Sequence, residues 1–181
     1  MTDQDRPALD AYLRGDVSAF EALVARYEGP LLGFAERMLG DGAAAQDAVQ
    51  ETFLRLIRDG KRIEHGEAIG TWLFRVCRNA SIDAVRKEGR MRAMHEKAAN
   101  MQAGDAPRHD PVERREAQDA LRAELEKLPV NQRNAVVLKV QQGKSYREIS
   151  AITGLSESNV GYLIHHGLRN LAHALKASGV I

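Results

Sequence analysis

Ser145-Tyr146-Arg147-Glu148-Ile149-Ser150-Ala151-Ile152-Thr153-Gly154-Leu155-Ser156-Glu157-Ser158-Asn159-Val160-Gly161-Tyr162-Leu163-Ile164 is the stretch that decides the fold. Ser145, with Glu148 three residues on, has the form of a capping box, which satisfies two of the orphan amides at a helix start. Ile149 and Ile152 share one face of the helix so begun, and Gly154 is the residue type that closes a helix in left-handed backbone. Ser156 or Ser158 then caps a longer helix whose inward positions are Val160, Ile164, Leu168, Leu171 and Leu175. A small residue at Ser150 lets the two helices approach, and Leu155, Val160 and Ile164 hold the second against the first. The spacing fits a helix-turn-helix; an αα-hairpin used only for packing would look the same at this level.

The rest of the chain keeps the same 3.6-residue period, and alternating strand patterns are almost absent, so the fold class is all-α. A long helix opens on a Ser18/Glu21 capping box and turns Phe20, Leu23, Val24, Tyr27, Leu31, Phe34, Ala35 and Met38 to one side, with a kink expected at Gly29-Pro30. After Gly40-Asp41-Gly42, a second helix buries Ala45, Ala48, Val49, Thr52, Phe53, Leu56 and Ile57 and stops at Asp59-Gly60. A polar loop leads to a third helix over residues 71–87, with Leu73, Val76, Cys77, Ala80 and Ala84 inward. Periodicity then fails among Asn100, Gly104, Pro107, Asp110 and Pro111, which punctuate loops. It resumes with Ala117, Leu121, Leu125 and Leu128, breaks at Pro129, and continues through Val140 to Gly143. The division is residues 1–93, a linker over 94–116, and residues 117–181.

The 181 residues carry 26 Lys and Arg against 25 Asp and Glu, for a net charge of +1, which at first sight argues against a nucleic-acid partner. No apolar run approaches the roughly 18 residues of a membrane span, and the acidic start Met1-Thr2-Asp3-Gln4-Asp5 is unlike a signal peptide, so a cytoplasmic location is expected. One cysteine, Cys77, excludes an internal disulfide and any multi-cysteine metal cluster. Gly143-Lys144-Ser145 imitates the end of a phosphate-binding loop, yet the required first glycine falls at Leu138 and the segment joins two helices. His165 and His166 diverge by about 100° on a helix and cannot chelate one ion together without other ligands. Nothing calls for a catalytic group, a metal or a cofactor.

Charge is informative once it is placed. Residues 72–92 hold six bases against Asp83 and Glu88, and Arg75, Asn79, Ile82, Arg86 and Arg90 follow one another at helical spacing, so one face is a basic track. A solvated helical face is the bland alternative. Trp72 and Phe74 lie two residues apart on different faces, so one packs inward and the other is free to stack on an unpaired base. On the second helix Asp47, Gln50, Glu51, Leu54, Arg55 and Arg58 form the polar face, where an exposed Leu54 among charges suits a protein interface. In the helix-turn-helix, Ser156, Ser158, Asn159, Tyr162, His165 and His166 are the outward residues of the second helix, and Lys144, Arg147 and Arg169 flank it as phosphate contacts.

Asp47-Ala48-Val49-Gln50-Glu51-Thr52-Phe53-Leu54-Arg55, then Thr71-Trp72-Leu73-Phe74-Arg75-Val76-Cys77-Arg78-Asn79 with Asp83, Arg86 and Lys87, then Leu128-Pro129, Gln132-Arg133 and Ser145 through Val160, occur in order over nearly the whole chain. The set closely resembles an extracytoplasmic-function (ECF) sigma factor of the bacterial sigma-70 family, with regions 2.2, 2.3–2.4 and 4 in turn. The resemblance implies a promoter-specificity subunit with no catalysis of its own. It implies that Asp47, Gln50, Glu51, Leu54 and Arg55 bind the clamp helices of the polymerase β′ subunit. Trp72, Arg75, Asn79, Arg86 and Lys87 would then engage the −10 element, and Lys144, Arg147, Ser156, Ser158, Asn159, Tyr162, His165, His166 and Arg169 the −35 element. Core RNA polymerase (β′ clamp helices and β flap), promoter DNA and an anti-sigma factor are the implied partners. A dimeric helix-turn-helix regulator is the competing reading, with a helical adaptor more distant.

Overall fold

The computed structural model describes residues 5–96 and 112–177, and the side chains of residues 5–89 and 119–177. Eight α-helices occupy these residues and no strand occurs among them: α1 (Arg6–Leu13), α2 (Val17–Leu39), α3 (Gly42–Asp59), α4 (Ile69–Glu96), α5 (Val112–Lys127), α6 (Val130–Val140), α7 (Tyr146–Thr153) and α8 (Glu157–Ala177). Helices α1–α4 make an N-terminal bundle with α2 at its centre, and α5–α8 make a C-terminal unit built around α6 and α8. The linker expected over 94–116 is helical at both ends, at 94–96 and 112–116; its remainder, 97–111, lies outside the described residues.

The stripes read from the sequence form the core. Leu31, Phe34, Ala35 and Met38 of α2 are fully buried against Ala45 and Leu56 of α3 and Leu73 and Cys77 of α4. The polar positions on this seam bond within their own helices. Thr52 Oγ1 donates to the Ala48 carbonyl at 2.7 Å and Ser81 Oγ to the Cys77 carbonyl at 2.9 Å. Burial pushes the Cys77 thiol up to about 11, against smaller opposing effects of the Thr52 and Ser81 hydroxyls, so it stays protonated and unreactive at neutral pH.

Several local expectations are corrected. Helix α2 begins at Val17 and its cap is Asp16, whose carboxylate accepts from the Ser18 and Ala19 amides; Ser18 spends its hydroxyl on Asp16 instead of Glu21. An aspartate two residues earlier brings a full negative charge to the helix N-terminus, which a serine hydroxyl does not. The helix runs without a break through Pro30. Helix α1 carried no sequence signal; the carboxylate of Asp5, just before it, is held by Arg26 and Tyr27 of α2, and Arg6 donates to the Ile63 carbonyl at 2.8 Å. Ile57 is exposed rather than buried, as are Val140 and Leu168. Helix α4 starts at Ile69 and extends to Glu96, beyond the expected Lys87.

Gly167 shows why sequence propensity alone misleads. A Cβ there would lie 2.6 Å from Val136 Cγ2, so the glycine lets α8 settle onto α6. Gly167→Ala gains up to about 1 kcal/mol of helix propensity. Val136 is buried and stiff at χ1, however, and overpacking costs about 1–3 kcal/mol. The net result in urea unfolding should be destabilisation; a more stable variant would show that α8 tolerates a shift.

Candidate nucleic-acid and polymerase interfaces

Along α3, Asp47, Gln50 and Leu54 face solvent, Leu54 at 53% exposure, while Glu51 and Arg55 form an i,i+4 pair with Nε at 2.6 Å from Oε1. Between α2 and α3 runs a groove of about 300 Å³ lined by Phe20, Val24, Val49, Phe53, Leu54 and Ile57. Ile57 and Leu54 are therefore two apolar side chains on one open groove. Such a patch rimmed by Gln46, Gln50 and Glu28 is the chemistry of a protein-binding face.

On α4 the basic face is present but partly engaged. Arg75 pairs with Glu67 at 2.5 Å, Arg86 lies 3.8 Å from Asp83, and Asn79 and Lys87 are exposed. Phe74 is the aromatic that packs inward, edge-on to Phe34 with centroids 5.8 Å apart, and Trp72 is half-buried against the core. Arg78 was not singled out from the sequence as a site residue. Its guanidinium reaches Asn79 Oδ1 at 3.2 Å and, across to α6, Asn131 Oδ1 at 3.4 Å, and burial with Arg86 nearby lowers its pKa. Arg55, Arg78, Asn79, Ile82, Arg86 and Asn131 line a cleft of about 590 Å³ between α4 and the start of α6.

The helix-turn-helix forms as the sequence indicates. Ser145 Oγ accepts the Glu148 amide at 3.2 Å, and Glu148 Oε2 accepts the Ser145 amide at 2.9 Å, completing the capping box. Gly154 closes α7 at φ +74°, its amide 2.8 Å from the Ser150 carbonyl. Ser150 does more than leave space: its hydroxyl donates to the Leu155 carbonyl at 2.5 Å and ties the turn. Of the two candidate caps for α8 it is Ser156, whose hydroxyl accepts from the Asn159 amide at 3.3 Å. Arg147, Ser156, Ser158, Asn159, Tyr162, His165 and Arg169 are exposed together, as expected of a groove-facing surface. His166 is half-buried, its ring 4.0 Å from that of Tyr162 and its Nδ1 2.9 Å from Arg169. Desolvation, then Arg169 and His165, hold its pKa below the usual histidine value, so it is a neutral hydrogen-bonding group at pH 7.

Lys144 is the one residue expected at the −35 element that the structure turns away from the outer face of α7 and α8. Its ammonium sits 4.9 Å from the centre of the Phe74 ring of α4 and 3.9 Å from Glu148. The N- and C-terminal units are thus in direct contact, which the sequence did not suggest. Arg133, read only as part of a motif, is buried at that contact. A charged residue just ahead of the apolar run Ala135-Val136-Val137-Leu138 was the available signal.

Two family models match this architecture: Sigma-70 region 2 over residues 23–91, which spans α3 and most of α2 and α4, and Sigma-70 region 4 over residues 118–171, which spans α6, α7 and most of α5 and α8. The chain is 34% identical over 169 residues to the RNA polymerase sigma factor CarQ of Myxococcus xanthus, covering 92% of this chain and 95% of CarQ. It is 28% identical to the ECF RNA polymerase sigma factor SigW of Bacillus subtilis, covering 90% and 92% of the two chains. Among solved structures, CnrH in complex with the cytosolic domain of CnrY matches with a TM-score of 0.72 at 26% identity, over 97% of this chain and 99% of that one. The chain belongs to the ECF group of the sigma-70 family of RNA polymerase sigma factors. As such it is a promoter-specificity subunit that directs transcription initiation, and polymerase supplies the catalysis. Among the described residues no helix is long and apolar enough to cross a membrane.

Burial works to raise the Glu148 pKa, but the Ser145 hydroxyl and amide, with Lys144 and Lys139, outweigh it and the net shift is downward from 4.5. A depressed carboxyl contributes stability above its unfolded pKa and loses it as pH falls through its folded value. Ser145→Ala should cost about 1 kcal/mol at pH 7. The difference from wild type should narrow as the pH drops below 4.5, which urea unfolding across that range would show. An unchanged difference would mean that the cap acts without Glu148.

Proposed function

We propose that this sigma factor divides its work among three surfaces. The α3 face of Asp47, Gln50, Glu51, Leu54 and Arg55, with the apolar groove beside it, takes the β′ clamp helices. Trp72, Arg75, Asn79, Arg86 and Lys87 on α4 take the −10 element. The outer face of α7 and α8, with Arg147, Ser156, Ser158, Asn159, Tyr162, His165, His166 and Arg169, reads the −35 element as duplex, with Lys144 available to phosphate once it leaves Phe74. The observation that carries this is the free outer face of a well-formed helix-turn-helix on the same chain as a basic helix and an exposed apolar groove. The units act as residues 1–93 and 117–181 joined through 94–116. The fifteen residues at 97–111 alone can reach about 50 Å when extended. Two weak DNA contacts held on one polymerase gain from effective concentration, so neither needs high affinity.

CnrH is solved with the cytosolic domain of CnrY, and an anti-sigma partner that covers the α3 groove or region 4 suits the exposed apolar surfaces here. The working location is the cytoplasm, where core polymerase resides, with the β flap as the second polymerase contact.

Leu54→Glu should weaken binding to purified core polymerase at least tenfold. Arg86→Glu with Lys87→Glu should leave core binding intact, abolish run-off transcription, and lower the salt slope of holoenzyme–promoter binding by about 2. Unaided, tight binding of the wild-type chain to a palindromic duplex, with no effect of Leu54→Glu on initiation, would instead establish the dimeric regulator.

A further inference from the structure

Helix α1 precedes residue 23, where the match to Sigma-70 region 2 begins, and none of the three proposed surfaces uses it. It packs on α2 and on the 3₁₀ turn Gly60–Arg62, with Leu9 fully buried. Its first residue is spent on the loop that leads into α4. Arg6 Nη1 donates to the Ile63 carbonyl at 2.8 Å and to the Glu64 carbonyl at 3.4 Å, while Asp10, one turn on, braces Arg6 Nε at 3.0 Å. Only 13% of the Arg6 side chain is exposed, so the guanidinium is fixed on these carbonyls and not left to solvent.

From there the bonds lead on to the −10 helix. The Glu64 carbonyl also accepts the Glu67 amide at 3.0 Å, which closes a turn over residues 64–67. The Glu67 carboxylate then meets Arg75 Nη1 at 2.5 Å, in the second turn of α4. Arg75 keeps 38% of its side chain exposed, and a guanidinium carries several N–H donors, so Glu67 can hold one nitrogen while the others stay available to an acceptor on DNA. Asp5 secures the same corner from α2: its carboxylate takes Arg26 and Tyr27, and a Cβ on Gly70, in the first turn of α4, would lie 2.6 Å from the Tyr27 hydroxyl.

We propose that Arg6 is a positioning residue for promoter recognition: it fixes the turn over residues 64–67, and through Glu67 the direction of Arg75, before the −10 element arrives. The proposal rests on the assignment of Arg75 to that element. A loop left unheld has to be ordered each time it meets DNA, and the entropy of that ordering is subtracted from binding. Donors and acceptors set in advance remove the subtraction, and they do so most for the sequence whose acceptors match the fixed direction of Arg75. If α1 served only to cover α2, losing Arg6 would lower stability and leave discrimination among −10 sequences unchanged.

Holoenzyme reconstituted from core polymerase and the full chain, assayed for initiation on promoters randomised in the −10 element, tests this. Arg6→Ala should reduce the preference for the best −10 sequences over the average by roughly tenfold, the worth of one charge-assisted hydrogen bond, with core binding unchanged. Arg6→Lys keeps a donor for the carbonyls but loses the Asp10 brace, and should recover part of the preference. Glu67→Ala, on the loop itself, should match Arg6→Ala and reads the same link should that variant loosen α1; the two together should lose no more than either alone. In an Arg75→Ala background, Arg6→Ala should change the preference by less than about twofold. An effect of Arg6→Ala that persists in that background, or a loss of initiation equal on all promoters, marks a merely structural role and overturns the proposal. Arg75→Ala without effect on −10 preference overturns the promoter assignment instead, and hydrogen exchange of the free chain then decides the clamp: the Glu67 amide should exchange roughly tenfold faster in Arg6→Ala, and an unchanged rate sinks it.

Discussion

The guanidinium of Arg133 is shared between the ends of two helices. It donates to the Met38 carbonyl in the last turn of α2 and to the Glu126 and Leu128 carbonyls where α5 ends, the last at 3.4 Å. Carbonyls at a helix C-terminus have no partner within the helix and carry the negative end of its dipole, so a cation there is favourable to both helices at once. Burying a charge costs several kcal/mol unless its donors are met; the two terminal nitrogens of Arg133 find acceptors on both sides, as the planar fork of arginine allows and a lysine would not, while its buried Nε has none. Burial lowers the Arg133 pKa and Glu126 raises it, yet a guanidinium remains charged. The position of region 4 against region 2 is set by where these two helix ends can meet one cation.

A near-neutral net charge conceals the arrangement that makes this work. Residues 1–71 hold thirteen acids against eight bases, residues 72–92 hold six bases against two acids, and residues 139–181 hold five bases against two acids. Both basic segments would repel one another if brought face to face. The seam avoids that by pairing cations with carbonyls and a ring: Arg133 and Arg122 with the end of α2, and Lys144 with Phe74. The remaining bases, Arg86, Lys87, Arg147 and Arg169, stay at the surface where a polyanion can reach them.

What the sequence revealed and what it hid follow the range of the interactions concerned. The capping box at Ser145, the turn at Gly154 and the stripes of α2 and α3 are encoded within four residues, and all are present in the structure. Helix α1 is only eight residues long, below the length at which local propensity is decisive, and it is fastened by Asp5 to Arg26 and Tyr27 over twenty positions away. Ile57 has the spacing of a core residue, but it falls where α2 and α3 leave a groove, and periodicity cannot distinguish a face covered by its own chain from one left for a partner. By helix propensity alone Gly167 is a weak point of α8, and the close neighbour that requires it, Val136, lies on another helix. The individual surfaces of the candidate site were legible for the same reason that the caps were, since each is carried by one helix or by two helices joined through a single short turn. Their mutual contact was not, because Arg133, Gln142 and Lys144 each find their partner about 70 to 110 residues away.

How much the helix-turn-helix can do alone follows from the make-up of its second helix. Between Gly161 and His166 it offers no lysine or arginine, and the first, Arg169, is engaged with His166. Phosphate contacts supply much of the affinity of any DNA-binding module, so in the proposed reading this helix-turn-helix binds weakly alone. Holding it on one polymerase beside the basic helix α4 would supply by effective concentration what its second helix lacks in charge, and the apolar groove beside α3, which is formed with α2 and is open, leaves that attachment free to form.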